Sequence, residues 1–357
     1  MKIEGNHYRT IWPSFQEDFV TIIDQTSLPH RLNFLRIDSL GKMMIAIKSM
    51  QVRGAPLIGV AAAYGMALAA YENCNHETLK KSAELLIHSR PTAVNLRWAV
   101  ERMQAVLLTV EPELRVKIAW QEAAKIANED VVQNQAIGEH GLALIRQLMI
   151  NKTATDLHVL THCNAGWLAT VDYGTALAPI YAAHDSGLNV HVWVSETRPR
   201  NQGSSLTAWE LSQHGVPHTV ITDNAAGYLI QKKLVDMVIV GADRVTRHGD
   251  VCNKIGTYLK ALAANAHGIP FYAAVPAPTI DWQIESADID IEMRAQNEIS
   301  HITGMAENGD VVQVRLMPET SSAWNPAFDV TPSRFVSGII TERGVFAPDD
   351  LKVLSHA

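Results

Sequence analysis

Two side chains in this sequence combine a titratable group with the address at which open α/β sheets place their chemistry. Cys163 follows the apolar run Leu157 to Thr161 and His162, and it precedes Asn164-Ala165-Gly166, a turn expected to open a helix. A thiol at a helix N-terminus is acidified by the helix dipole and the free amides. The competing reading is a small buried cysteine with no chemistry. Asp243 has the matching address in Val238-Ile239-Val240-Gly241-Ala242-Asp243-Arg244. A carboxyl group raised in pKa by burial can hold a proton there for delivery. Alternatively it caps a helix or pairs with Arg244. His162, beside Cys163, reads as a structural histidine.

Three basic loops are candidates for holding an anion. Arg53-Gly54-Ala55-Pro56 offers a guanidinium and a glycine that lets the backbone approach closely. Asn253-Lys254-Ile255-Gly256-Thr257 is expected to open a helix whose free amides, with the lysine, make a phosphate site. Arg198-Pro199-Arg200-Asn201-Gln202-Gly203 also precedes a helical stretch. Each loop taken alone reads equally well as solvated surface. No G-x-x-x-x-G-K-[ST] loop, no G-x-G-x-x-G after a strand, no H-E-x-x-H and no paired C-x-x-C is present, so neither a metal nor a nucleotide cofactor is expected.

These residues need a scaffold that makes them converge. Short apolar runs at Leu157 to Thr161, Val190 to Val194, His218 to Ile221, Met237 to Val240 and Pro270 to Val275 alternate with helix-like stretches near Thr170 to Asp185, Ser204 to His214, Ala225 to Lys233 and Lys254 to Ala266. The alternation predicts an α/β fold with a doubly wound, mostly parallel sheet. Polar residues that trail the runs then meet in one crevice beyond the strand carboxyl ends. The preceding part reads as mainly helical after a small β start. Strands are expected at Tyr8 to Ile11 and Phe19 to Ile23, and helices at Leu40 to Met50, from Ala55, at Ala93 to Leu107 and at Glu113 to Met149. The polar stretch Asn151 to Asp156 marks the boundary between a mainly helical domain, 1–150, and a catalytic α/β domain, 151–357.

With 357 residues the chain can build two cores, and 47% apolar with 19% charged residues is the composition of a globular enzyme. A net charge of -7 argues against nucleic acid as a partner. The start is polar and does not read as a secretory signal. The uncharged run Ala55 to Tyr71 reaches the lower limit for a membrane span. Its alanines, Gly59 and Gly65 read instead as a closely packed buried helix, so no membrane partner is expected. Three widely spaced cysteines, Cys74, Cys163 and Cys252, fit free thiols in a reducing compartment, the cytoplasm.

Together, VRGAPLIGVAAAYG, SRPTAVNL, THCNAGWLATVDYGTALAPI, ETRPRNQGSSLTAWEL, GADRVTRHGDVCNKIGTY and NPAFDVTP resemble the methylthioribose-1-phosphate isomerase family of methionine salvage. That group is akin to initiation-factor exchange regulatory subunits. The resemblance implies a mainly helical N-terminal domain and a C-terminal Rossmann-like domain, assembled as a homodimer. It implies cofactor-free conversion of an aldose 1-phosphate to a ketose 1-phosphate, with Cys163 and Asp243 catalytic. Substrate-binding positions fall on Arg53, Gly54, Ala55, Arg90, Gln202, Asn253 and Lys254. The sequence departs from the pattern at Arg97, at Cys252 and over Asp281 to His301. Those departures leave open a different 5-substituent, such as that of 5-deoxyribose 1-phosphate, and a non-catalytic regulatory subunit is the other alternative.

Overall fold

The computed structural model describes residues 1–150, 156–285 and 289–356. The boundary expected at Asn151 to Asp156 thus lies, apart from Asp156, outside the described residues. After a short antiparallel pair, Lys2–Ile3 with Asn6–His7, the N-terminal part builds a three-stranded antiparallel sheet of Ile11–Pro13, Val20–Ile23 and Phe34–Ile37. The first of these starts later than expected, because Tyr8 is tied back through its N–H to the Met1 carbonyl. Helices α1 (Leu40–Lys48), α2 (Ala55–Glu72), α3 (His76–Ser89), α4 (Val94–Leu107) and α5 (Pro112–Ile150) follow. Side-chain caps start two of them: Ser39 accepts from the Lys42 N–H and Asn75 from the Thr78 N–H.

α2 is the core of this part. Every residue from Ala55 to Ala70 is buried, so the helix is apolar on all sides because all sides are packed. Its length and hydropathy would suffice to cross a membrane, but its surface is spent on α1, α3, α4 and α5. Gly59 meets the α4 backbone, where a Cβ would stand 2.9 Å from the Asn95 carbonyl oxygen. Only a residue without a side chain permits that crossing.

The second part is built on a seven-stranded sheet in the order Gly344–Phe346, Gly338–Thr341, Phe271–Ala274, Met237–Val240, Asp156–His162, Asn189–Ser195, His218–Ile221. All neighbours are parallel except the edge pair that includes Gly344–Phe346. Both faces are covered. Met237 and Ile239 enter one apolar cluster while Val238 and Val240 enter another. This is why the strands read as continuous apolar runs and not as alternating ones. The chain winds outward from Asp156–His162 to His218–Ile221, then returns to Met237–Val240 on the other side. The switch point of the sheet therefore lies between Asp156–His162 and Met237–Val240.

The helices α6 (Ala178–Asp185), α7 (Ala208–His214), α8 (Ala225–Gln231) and α9 (Thr257–Ala266) match the expected stretches but start late in three cases. The segment before α6 is a single 3₁₀ turn, Trp167–Ala169, followed by a loop pinned by the Thr170 hydroxyl to the Asp172 carbonyl. A π-turn, Gly203–Thr207, precedes α7. Before α9, Val251–Lys254 is a strand, part of a second sheet with Ile280–Asp281, Arg244–Thr246 and Phe328–Thr331 that the patterning did not predict.

Candidate active site

Cys163 directly follows the strand on one side of the switch point, and Asp243 trails the strand on the other. This is where an open α/β sheet leaves a crevice, since neighbouring connections run in opposite directions there. Both residues line one pocket with Arg53, Gly54, Ala55, Arg90, Gln202, Asn253 and Lys254. The helical part supplies Arg53, Gly54, Ala55 and Arg90, and the α/β part supplies the rest. A larger cavity of about 690 Å³ adjoins it and shares Met50, Arg53 and Gln202.

The turn at Cys163 is held in a left-handed conformation, φ 66, that a non-glycine residue adopts only under constraint. The constraints are visible. The Cys163 N–H donates to Thr197 Oγ1 at 2.8 Å, and the Thr207 hydroxyl donates to the Cys163 carbonyl at 2.7 Å. Thr197 is itself left-handed, φ 68. Beneath the turn, Arg53 grips Asn164 twice, with Nη1 on Oδ1 and Nη2 on the carbonyl oxygen at 2.6 Å. Asn164 Nδ2 in turn donates to the fully buried Glu210.

The expected helix N-terminus behind Cys163 is not there, since the next α-helix begins at Ala178. Burial raises the thiol above its ordinary pKa, with Arg53 and Lys254 pulling it down and Asp243 pushing it up. The resting group is therefore a thiol, and it donates to Gln202 Oε1 at 3.2 Å. Burial likewise raises Asp243, against the pull of Lys254, Arg53 and Arg90. Asp243 runs directly into the strand Arg244–Thr246, with its own N–H on the Cys252 carbonyl, so it does not cap a helix, and the nearby Arg244 pairs with Asp281.

The phosphate site expected at the start of α9 is also revised. Lys254 ends a strand, and the amides of Gly256 and Tyr258 are occupied by the Asp329 carboxylate at 2.7 and 3.1 Å. Burial pushes that carboxyl up to about 6. The open amides belong to α2. Its first helical bond runs from the Ile58 N–H to the Gly54 carbonyl, so the Ala55 and Leu57 amides before it have no helical partner, and Gly54, Ala55 and Pro56 line the pocket. Lys254 still reaches the pocket, buried and stacked 4.4 Å from the Phe328 ring centroid. His162 is completely buried and pushed down to about 3, chiefly by burial, and it bonds to the Ile255 carbonyl, so it is a neutral structural group.

Two components of the site escaped the sequence reading. Arg294, which lines the pocket, lies in Asp281 to His301, a stretch that departs from the family pattern. Glu210, in the first turn of α7, does not line the pocket but supports it from behind through Asn164, and no local signal distinguishes such a buried carboxylate from a solvated one. Among the described residues, four cations, Arg53, Arg90, Lys254 and Arg294, line this pocket against one lining carboxylate, Asp243, while Glu292 and Glu298 pair with Arg90 and Arg294 outside the lining. In a chain of net charge -7, that local excess specifies an anionic ligand.

Residues 51–348 match the model of the initiation factor 2 subunit family. The chain belongs to this family. Within it, the chain is 56% identical over 348 residues to the methylthioribose-1-phosphate isomerase of Gluconobacter oxydans, covering 96% of this chain and 95% of the relative. The crystal structure of 5-methylthioribose 1-phosphate isomerase from Pyrococcus horikoshii OT3 superposes with a TM-score of 0.82 at 38% identity, over 98% of this chain and 95% of that one. A structure described as translation initiation factor eIF-2B subunit delta from A. fulgidus is 41% identical, with a TM-score of 0.79, over 97% of this chain and all of that one. The family thus spans isomerases and initiation factor subunits on one fold, and the contents of the pocket must tell them apart.

Proposed function

We propose that this chain is a cofactor-free aldose–ketose isomerase that converts 5-methylthioribose 1-phosphate to 5-methylthioribulose 1-phosphate in methionine salvage. The observation that carries the reading is the pair Cys163 and Asp243 on opposite sides of the switch point, facing a cationic pocket. A binding subunit needs the cations but has no use for two buried proton-handling groups.

The substrate has no free aldehyde, because carbon 1 carries the phosphate. The ring must open before hydrogen moves from carbon 2 to carbon 1. Protonated Asp243 donates to the ring oxygen as the ring bond to carbon 1 breaks. Once the Cys163 thiol has released its proton to solvent, the thiolate takes the proton from carbon 2, and the electron pair forms the carbon 1–carbon 2 double bond. The thiol then returns that proton to carbon 1, while the carboxylate of Asp243 removes the proton of the carbon 2 hydroxyl. Both residues end as they entered the chemical steps, Asp243 as the acid and Cys163 as the thiolate, which takes its resting proton back from solvent. The thiolate form is favoured by Arg53 and Lys254, the cations that pull on the thiol. Exclusion of water from so buried a site strengthens both effects.

The pocket around the pair has a volume of only about 40 Å³, room for roughly one water. The substrate therefore extends into the adjoining cavity, which takes the 5-substituent. Homodimeric assembly and a cytoplasmic location belong to the same proposal, the first tested by light scattering. A second reading, a non-catalytic subunit that binds sugar phosphates, is favoured by the likeness to the A. fulgidus protein. Incubation of the purified protein with 5-methylthioribose 1-phosphate, followed by NMR, decides. Appearance of the ketose supports the isomerase, and binding without conversion supports the subunit. Parallel incubations with 5-deoxyribose 1-phosphate test the 5-substituent.

A further inference from the structure

Among the described residues, three guanidinium nitrogens of one pocket are buried without a hydrogen-bond partner: Arg53 Nε, Arg90 Nε and Arg294 Nη1. A buried cationic donor left unpaired is costly, and a cluster of them marks the place of an absent acceptor. Arg294 differs from the other two in its carrier. Residues 292–294 lie antiparallel to 325–327, joined by Arg294 N–H to the Asn325 carbonyl and Ala327 N–H to the Glu292 carbonyl, each 2.9 Å. The segment 325–327 runs into Phe328, which opposes Lys254 in the second sheet. This pairing sets Arg294 and Lys254 at the same end of that sheet, and Arg294 is among the charges that depress the lysine.

The same strap is anchored to both parts of the molecule. Glu292 pairs with Arg90 at 3.3 Å, and Glu298 pairs with Arg200 and with Arg294, each at 2.9 Å. Arg294 Nη2 also lies 2.8 Å from Met50 Sδ. Nη1 is left without a hydrogen-bond partner, standing 3.9 Å from Glu292 Oε1. A purely structural arginine in so dense an ionic network would have both ends satisfied.

We propose that Arg294 is a phosphate-binding residue, delivered by the strap to complete the cationic pocket with Arg53, Arg90 and Lys254. The inference rests on the sugar-phosphate reading above and adds a ligand contact to it. Its planar fork places Nη1 on a phosphate oxygen while Nη2 stays on Glu298. Binding of the anion thereby also holds the strap closed across the seam between the two parts.

The test uses the full-length protein and inorganic phosphate as the probe, read as the rise in melting temperature with phosphate concentration. Arg294→Met is expected to weaken phosphate binding roughly tenfold or more, as loss of a charged hydrogen bond does, and to raise KM for the sugar phosphate more than it lowers kcat. Arg294→Lys is expected to recover part of the affinity. Equal phosphate affinity in folded Arg294→Met overturns the assignment. Should that variant not fold, phenylglyoxal labelling of Arg294 in the unaltered protein replaces it. Protection by phosphate supports the contact, and labelling that ignores phosphate overturns it. Phosphate binding that depends on Arg294 without sugar-phosphate turnover would sink the isomerase reading and leave this assignment standing. Turnover with phosphate binding indifferent to Arg294 would do the reverse.

Discussion

The thiol of Cys163 donates its proton to Gln202 Oε1 across 3.2 Å, so the group proposed as a base is stored as an acid. Gln202 can only accept at that oxygen, and burial supports the same protonation state. The proton must leave before the thiol can act on carbon 2. This makes the cations around it part of the chemistry as well as of binding.

Replacement of either member of the pair is expected to stop turnover without unfolding the protein. Cys163→Ser keeps a hydroxyl of far weaker acidity, and Asp243→Asn keeps shape but no proton to give. Each is expected to lower kcat by roughly 10²–10⁴-fold. The double variant is expected to be hardly worse than the worse single one, since the groups act in one cycle. Measuring kcat with the melting temperature separates this from a structural role, for which a lowered melting temperature and near-normal turnover would be seen.

Lys254→Met keeps the aliphatic stem on Phe328 but removes a charge that pulls the Cys163 thiol down. Removing a cation makes the thiolate scarcer at a given pH, so its titration moves to higher pH. The rate of iodoacetamide alkylation of Cys163 as a function of pH reads this directly. An unshifted profile would remove Lys254 from control of the thiol.

Glu210 is buried below the Cys163 turn, and burial pushes its carboxyl from 4.5 up to about 7. A folded-state pKa above the unfolded one means the folded protein binds the extra proton. Its contribution to stability is thus fully present below about 4.5 and is lost as pH rises towards 7. Glu210→Gln, which stays neutral, is expected to flatten the fall in melting temperature between those values while keeping the bond to Asn164. Glu210→Ala is expected to lower kcat as well, because Asn164 and with it Arg53 lose their support. Equal kcat in both variants would show that the chain from Glu210 through Asn164 to Arg53 does not position the site.

Gly54 has φ 100, and a Cβ there would stand 2.6 Å from the backbone and side chain of Ala169. Gly54→Ala is expected to cost about 1–3 kcal/mol in urea unfolding, the scale of a residue forced into a disfavoured backbone region. It should also raise KM, since Gly54 and the start of α2 line the pocket and must shift. A variant of unchanged stability and KM would show that this close approach is dispensable.

The sequence by itself determined the parallel sheet and the residues that trail its strands. Continuous apolar runs such as Val238-Ile239-Val240 admit few packings other than a strand covered on both faces. The fate of the Ala-rich run was legible for a similar reason, since its glycines mark close helix crossings. What lay beyond the sequence depended on partners distant in the chain. Val251–Lys254 is too short to declare itself a strand, and it became one by pairing with Arg244–Thr246 and Phe328–Thr331. That pairing moved Lys254 off the helix where local pattern had placed it and gave the α9 amides to Asp329, 71 residues beyond Tyr258. The acidity of Cys163 was equally hidden. Charge and exposure at a site are sums over everything packed around it, and here burial outweighed the cations that the sequence had brought near. Arg294 joins the pocket, and Glu210 its support, through tertiary contacts alone, the one on a strap and the other beneath a turn, and only the folded chain assigns them.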